Sequence, residues 1–455
     1  AAQLIHIFTT GAGGRSLLLS RSRNGTMRAS PVQALVGRIK DVYDDPGVGR
    51  FLGLMLIFGI GVGLFGGILN NYLYEILAID RLGRGIVEFP RELPGLLLFV
   101  LVGLMHNFTE KRMLRSALIV GTSGALLLVF WGTDRIPSIL FIVLWSTGEH
   151  LIMPVRQSIS MHIARKGREG LAMGTTASVG NIGQVIGHYT IPLLFLLLRA
   201  VGLLDTSRGE VGLGLGSFGQ YRAVFVVAAA LMIVGVFLSY RIEGTNARVR
   251  RPRLFIRRRY WKYYVLEAFF GARKQVFLTF APYVLIIHYG ARTELIATLL
   301  GVWSLSSIVI SPLFGRLLDR VGHRIILIID AIVLTILCLV YGFAHHVLPA
   351  GAAFVVVCVV FVLDAILFVV GLARAKYVRT LSSSSEEVTA TLSVGISVNH
   401  LISILIAIVG GLLWESHGME VLFTMAAAFG LGSVAFAFSL PRVRAHGEQP
   451  PVSPD

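Results

Sequence analysis

From Phe51 to about residue 440, runs of about 20 apolar residues alternate with short polar breaks, the length that carries a helix across a bilayer. Twelve such spans are predicted, at 51–76, 93–108, 113–133, 136–164, 170–198, 221–242, 261–287, 294–314, 325–345, 350–376, 388–413 and 419–440. The breaks differ in charge. If the amino terminus is cytosolic, one set of loops and their edges holds Lys111, Arg112, Arg115, Arg165, Lys166, Arg168, Arg316, Arg320, Arg324, Arg374, Lys376 and Arg379. The opposite loops between spans 7–8, 9–10 and 11–12 hold only Arg292 as a basic residue. The positive-inside rule then places both termini in the cytosol of a multi-pass protein of the cell's inner (plasma) membrane.

The pattern divides at 243–260, EGTNARVRRPRLFIRRRY, a basic cytosolic linker between an N-terminal six-helix bundle (51–242) and a C-terminal one (261–440). Residues 1–50 form a cytosolic N-terminal segment, with a weakly amphipathic stretch at 32–42 suited to the membrane surface, and 441–455 a disordered cytosolic tail. The first 40 residues carry six cations and no acid. They lack an apolar core followed by a small-residue cleavage site, so they are read as a tail or as sequence upstream of a start at Met27. Similar offsets relate the halves: Glu149 to Asp364, Ser178–Gly180 to Ser393–Gly395, and Gly103 to Gly315, which points to two parallel repeats with a site between them at mid-membrane.

Composition agrees with the pattern. The 455 residues are 55% apolar and 15% charged, with a mean hydropathy of +0.75, beyond what a soluble domain shows. The net charge of +16 would suggest nucleic acid in a soluble protein, but here the arginines lie in the loops, and no nucleic-acid partner is expected. Cys338 and Cys358 have no disulfide, redox or metal spacing. With no nucleophile elbow, phosphate loop or metal-ligand cluster in view, neither enzymatic activity nor a cofactor is expected.

Charges inside the spans are the candidate chemistry. Arg273 and Lys274 stand side by side deep in the seventh, Glu149 in the fourth and Asp364 in the tenth, with Lys274, Glu149 and Asp364 each about 20 Å along its helix at about 1.5 Å per residue. Facing lipid, the four would cost on the order of 10–14 kcal/mol, so they must meet one another or water. Arg273 and Lys274 are therefore read as receiving an anionic or zwitterionic solute, as pairing with carboxylates, or both. For Glu149 and Asp364 the readings are proton carrier or static counter-ion, with His150 as a relay partner or a packing residue. Asn181, Gln184 and His188 share one face of the fifth span beside Gly180, Gly183 and Gly187; Ser393, Ser397, Asn399 and His400 repeat the pattern on the eleventh. These faces are candidate substrate contacts. Gly59, Gly63, Gly66 and Asn70 read as helix packing. Glu267 with Lys274, and Glu149 with Arg156, are candidate gate contacts, and Asp80, Arg81, Arg84, Glu88, Arg91 and Glu92 read as a salt-linked outer lid.

The segment after the eighth span, Gly315-Arg316-Leu317-Leu318-Asp319-Arg320-Val321-Gly322-His323-Arg324, resembles the cytosolic signature loop of the major facilitator superfamily, with His323 in place of one basic residue. The resemblance implies the twelve-helix major facilitator fold and a cytosolic gate made by Gly315, Asp319, Arg320, Gly322 and Arg324. The first-half copy, Gly103 to Arg112, departs from the pattern, with Asn107 for the acid and Glu110 for the second glycine. RGIVEFPRELPG (84–95) and GARKQVF (271–277) look like signatures of a narrower bacterial subgroup, and the resemblance assigns no cargo. The function expected is secondary active transport by alternating access, proton-coupled, of a small anionic or zwitterionic organic solute. The alternative is efflux of amphipathic drugs or lipids past Phe269, Phe270, Phe277 and Phe280. The expected partners are the solute, a coupling proton or other ion and the lipid bilayer, with the protein a monomer.

Overall fold

Apolar runs without water to satisfy their backbone must close every N–H···O=C bond internally, and the described spans do so as helices. The computed structural model describes residues 41–43, 45, 47–105, 107–166, 168–202, 218–242, 256–383 and 385–441. Most of the N-terminal segment, including 32–40 of its amphipathic stretch, the linker up to 255 and the tail from 442 onward lie outside them.

In chain order the helices are α1 (Val48–Glu75), α2 (Arg81–Leu96), α3 (Leu98–Leu104), α4 (Glu110–Trp131), α5 (Arg135–His162), α6 (Glu169–Ala200) and α7 (Gly219–Tyr240). They continue as α8 (Trp261–Gln275), α9 (Ala281–Ile287), α10 (Thr293–Val321), α11 (His323–Val347), α12 (Ala350–Ile366), α13 (Gly371–Leu381), α14 (Ser385–His417) and α15 (Met419–Phe438). Taking α2 with α3, α8 with α9 and α12 with α13, these are twelve segments among the described residues. Among the described residues, nine helices are long and apolar enough to cross a membrane by length and composition.

Three segments depart from a plain apolar helix. The second starts at Arg81, not 93, and ends at Leu104, so the charged stretch expected as an outer lid is helix. Asp80 caps it by accepting from the Gly83 N–H at 2.6 Å, and the helix breaks at Leu97, just after Pro90 and Pro94. An apolar window overlooks this helix because its inward face is ionic. The seventh widens into a π turn over Val276–Phe280 directly after Arg273 and Lys274; Pro282, with no N–H to offer residue 278, accounts for the change of register. The tenth tightens to a 3₁₀ turn, Leu367–Val370, between Asp364 and Arg374.

Contacts group the chain as Ala1–Gly66 with Val100–Arg251, and Gly67–Phe99 with Pro252–Asp455. The division differs from a cut at the linker, because the second helix belongs by its contacts with the C-terminal half. Gly85 lies against the Ala407 carbonyl and Gly411 against the Arg81 and Leu82 carbonyls, so α2 and α14 approach with no side chain between them.

In the first unit, Gly59 and Gly63 of α1 meet α6 at Gly180 and Gln184, while Gly183 and Gly187 of α6 face the Leu56 and Ile60 carbonyls of α1. The glycine faces therefore pack, and Phe65 stacks on Trp145 at 4.3 Å beside them. A side chain at Gly183 would enter the α1 backbone, so Gly183→Leu is expected to cost about 1–3 kcal/mol by overpacking. Gly170→Leu, where a Cβ meets nothing within 4 Å, is the control. Thermal unfolding in detergent checks this: only the first variant should melt lower.

Candidate functional site

Arg273 and Lys274 are neighbours in sequence but stand about 100° apart around a helix, and in the second unit they serve different clusters. Arg273, 2% exposed, turns toward α12, where Nη2 donates to Asp364 Oδ1 at 2.8 Å. Its guanidinium lies 5.7 Å from the Phe270 ring and 5.5 Å from the Phe368 ring. Nε and Nη1 are buried with no hydrogen-bond partner. They belong to a side chain lining a narrow cleft of about 20 Å³, whose walls include Phe269, Phe270, Asp330, Arg374 and Phe429. Asp330 Oδ1 is likewise buried without a hydrogen bond. The cleft thus holds an incompletely satisfied cation beside an acid, against aromatic walls.

Lys274 turns toward α14, where Nζ donates to Asn399 Oδ1 at 2.8 Å. Asn399 Nδ2 reaches Glu267 Oε2 at 3.5 Å, and Glu267 Oε1 accepts from Arg374 Nε at 2.8 Å. Glu267 and Lys274 are therefore linked through Asn399. Gly271 makes this possible by lying against the Asn399 backbone, close enough for α8 and α14 to exchange side chains. Arg374, read from the sequence as a loop-edge cation, is buried and covers the Phe270 ring at 3.6 Å, so Phe270 lies between two arginines.

A third cluster comes from the segment expected as a lid. Glu88, fully buried, receives Arg84, Arg91 (Nη2 at 2.7 Å) and Gln275 Nε2 at 3.2 Å. Arg84 also reaches Asn70 Oδ1 at 3.1 Å, Arg91 bridges to Glu92 at 2.6 Å, and His400 Nδ1 lies 2.7 Å from Glu92 Oε2. Sequence reasoning missed Glu88, Glu92, Arg84, Gln275 and Arg374 as buried partners, with Arg91 half-buried beside them. The signal for the four on α2 was present: 84, 88, 91 and 92 fall at i, i+4, i+7 and i+8, one helical face.

The remaining candidates lie in the first unit. Glu149 lies among Trp145, Met232 and Phe58, and Arg156 is near enough for their charges to interact. His150 is buried, with Nδ1 2.8 Å from the Ser146 carbonyl, a bond that makes Nδ1 the protonated nitrogen. His188 is 3% exposed; Asn181 and Gln184 are half-buried on the same helix. Glu149 is thus placed in a unit separate from Arg273, Lys274 and Asp364, and within their own unit those three divide between two clusters rather than sharing one chamber. At the foot of α4, Glu110 accepts from Ser158 and lies 2.9 Å from His162 Nδ1, a polar contact at the position where the first-half signature copy loses its glycine.

The signature segment is helical through Val321 and turns at Gly322, whose φ of +84° and ψ of 159° suit glycine alone. Arg320 is exposed, and Arg324 Nη2 donates to the Phe438 carbonyl at 2.6 Å. His323 is not a loop cation: it is 1% exposed and packs on the Tyr377 ring at 5.1 Å. Gly315 and Asp319 fall in α10, and their side-chain surroundings lie outside those described.

Helices of this length and apolarity define a multi-pass membrane protein. The chain belongs to the Major Facilitator Superfamily, whose sequence pattern matches residues 51–378 and 263–454. Solved structures share the fold at 14% identity. One is nucleoside transporter NupG, with TM-score 0.67 over 86% of this chain and 99% of that one. Others are a D-xylose-proton symporter (0.65; 86% and 96%) and a bacterial homologue of the human lysosomal transporter Spinster, inward-facing and occupied (0.61; 90% and 97%). No curated protein matches by sequence.

Proposed function

We infer that this transporter moves a small organic anion or zwitterion by alternating access, with Arg273 receiving the negative group and Asp364 exchanging the coupling proton. One observation carries the reading: Arg273 is buried and spends one nitrogen on Asp364, while Nε and Nη1 are without a hydrogen-bond partner. A guanidinium in that state has N–H groups left for an oxyanion, and the full two-bond fork, which needs Nη2, opens when Nη2 leaves Asp364. Asp364 and an arriving anion compete for the same charge. A proton on Asp364 removes the competitor, so proton and anion favour each other's binding, each raising the other's affinity by the same factor. Joint binding of that kind underlies symport.

Phe269, Phe270 and Phe429 in the cleft wall suit a solute with an apolar body, and they support the second reading, extrusion of amphipathic drugs or lipids. A thermal-shift screen of organic anions and neutral amphipaths against the wild type and Arg273→Gln separates the two. The first reading predicts anion hits whose affinity falls by about 2–5 kcal/mol, on the order of 30-fold or more, in the variant. Neutral hits that stabilise both proteins equally would contradict it and favour extrusion. The reading places a monomer in the cell membrane with both termini cytosolic. Cysteine labelling from outside should reach Arg292→Cys and miss Arg379→Cys; the reverse would invert the topology.

A further inference from the structure

A second cluster stands apart from the buried charges, at the end of α11 and the start of α15. His345 Nε2 lies 3.1 Å and His346 Nε2 3.0 Å from the same atom, Glu420 Oε1. The two imidazoles face one another with centroids 3.9 Å apart, and the ring of His288, just past α9, meets that of His345 edge-on at 4.9 Å. The ligand atoms of His345, His346 and Glu420 all fall within 4.8 Å of one another. The site is half open: the side chains are 17%, 56% and 29% exposed.

Two adjacent histidines on one helix stand about 100° apart, so that both Nε2 atoms reach a single point requires the α11 end to be aimed at Glu420. Hydrogen bonding alone is a crowded solution, because both rings then donate to one oxygen, and protonating both would set two cations in contact. A divalent ion resolves the crowding. Bonds of about 2.0–2.1 Å in a tetrahedron set ligand atoms roughly 3.3 Å apart, close to the spacing already present. Two imidazoles and one carboxylate, with a fourth position open to water, form a donor set suited to a borderline ion such as Zn²⁺ rather than to Ca²⁺ or Mg²⁺, which take oxygen.

The geometry points to a transition-metal site made by His345, His346 and Glu420, which fastens the α11 end to the α15 start and tunes the stability of the C-terminal unit. The ligands sit at loop ends that the arginine distribution assigns to the outer face, so extracellular metal would reach them. No residue of the Arg273 cleft takes part, and the inference stands or falls separately from the proposed cargo.

The test uses full-length protein purified without a polyhistidine tag, stripped with EDTA and titrated with Co²⁺ and with Zn²⁺. One Co²⁺ per chain with intense visible absorption of a four-coordinate site, displaced by Zn²⁺, is expected, together with a raised Tm under Zn²⁺. His346→Ala, an exposed position that leaves the core untouched, and Glu420→Gln should each weaken Zn²⁺ at least tenfold, while His162→Ala should not. Absence of the Co²⁺ band, or equal affinity in all four proteins, would overturn the assignment.

Discussion

Asp364→Ala is expected to lower the stability of the solubilised protein by about 3–5 kcal/mol, because it leaves the buried Arg273 charge without the carboxylate it hydrogen-bonds. Asp364 is 2% exposed and supplies the carboxylate that Arg273 reaches at 2.8 Å. Removing both charges should hurt less than removing one. Arg273→Met with Asp364→Leu is therefore expected to recover most of the lost Tm while remaining inactive in transport, since the group that receives the anion is gone. Thermal unfolding of the wild type, Asp364→Ala and the double variant, measured in one detergent, checks the order. A double variant less stable than Asp364→Ala would show that the pair is not the unit described.

A loss of similar size is expected at Glu88. This fully buried carboxylate is shared by Arg84 and Arg91 and accepts from Gln275, so Glu88→Ala strands the buried Arg84 guanidinium, while Arg91 keeps Glu92. The expected cost is again about 3–5 kcal/mol, whereas Glu415→Gln, at an exposed position of the same unit, should stay within about 0.5 kcal/mol. Adding Arg84→Gln to Glu88→Ala should restore part of the loss, because the two residues touch and their effects do not add. Fully additive losses would contradict the network.

The sequence pattern was most legible where apolar runs were long, and least where a helix carried its charges inward. Span 325–345 falls within α11 and 419–440 matches α15 closely, because each carries a single acid, Asp330 or Glu420, in an otherwise long apolar run. The second span failed for the opposite reason. Arg84 pairs with Glu88, and Glu92 pairs with Arg91 and His400 inside the protein, so their cost against lipid never arises, yet any hydropathy window counts it in full. Gly315 to Arg324 identified the superfamily, although His323 shows the limit of reading a position by type. Its neighbours mark it as a loop cation, and its ring packs as an apolar body on Tyr377. Arg273 and Lys274 show the same limit at the candidate site. Adjacency in sequence suggested one paired charge, and the helix turns them to different partners on α12 and α14.

What the account most depends on is that a proton at Asp364 and an anion at Arg273 bind together. The direct measurement adds the anion selected by thermal shift to unbuffered protein, near the midpoint of its pH-dependent binding, and records proton uptake. Wild type should take up protons as anion binds, approaching one per anion, and Asp364→Asn should bind the anion with no uptake. Undiminished uptake in Asp364→Asn, or anion binding by the wild type that moves no proton at any pH, would contradict the account.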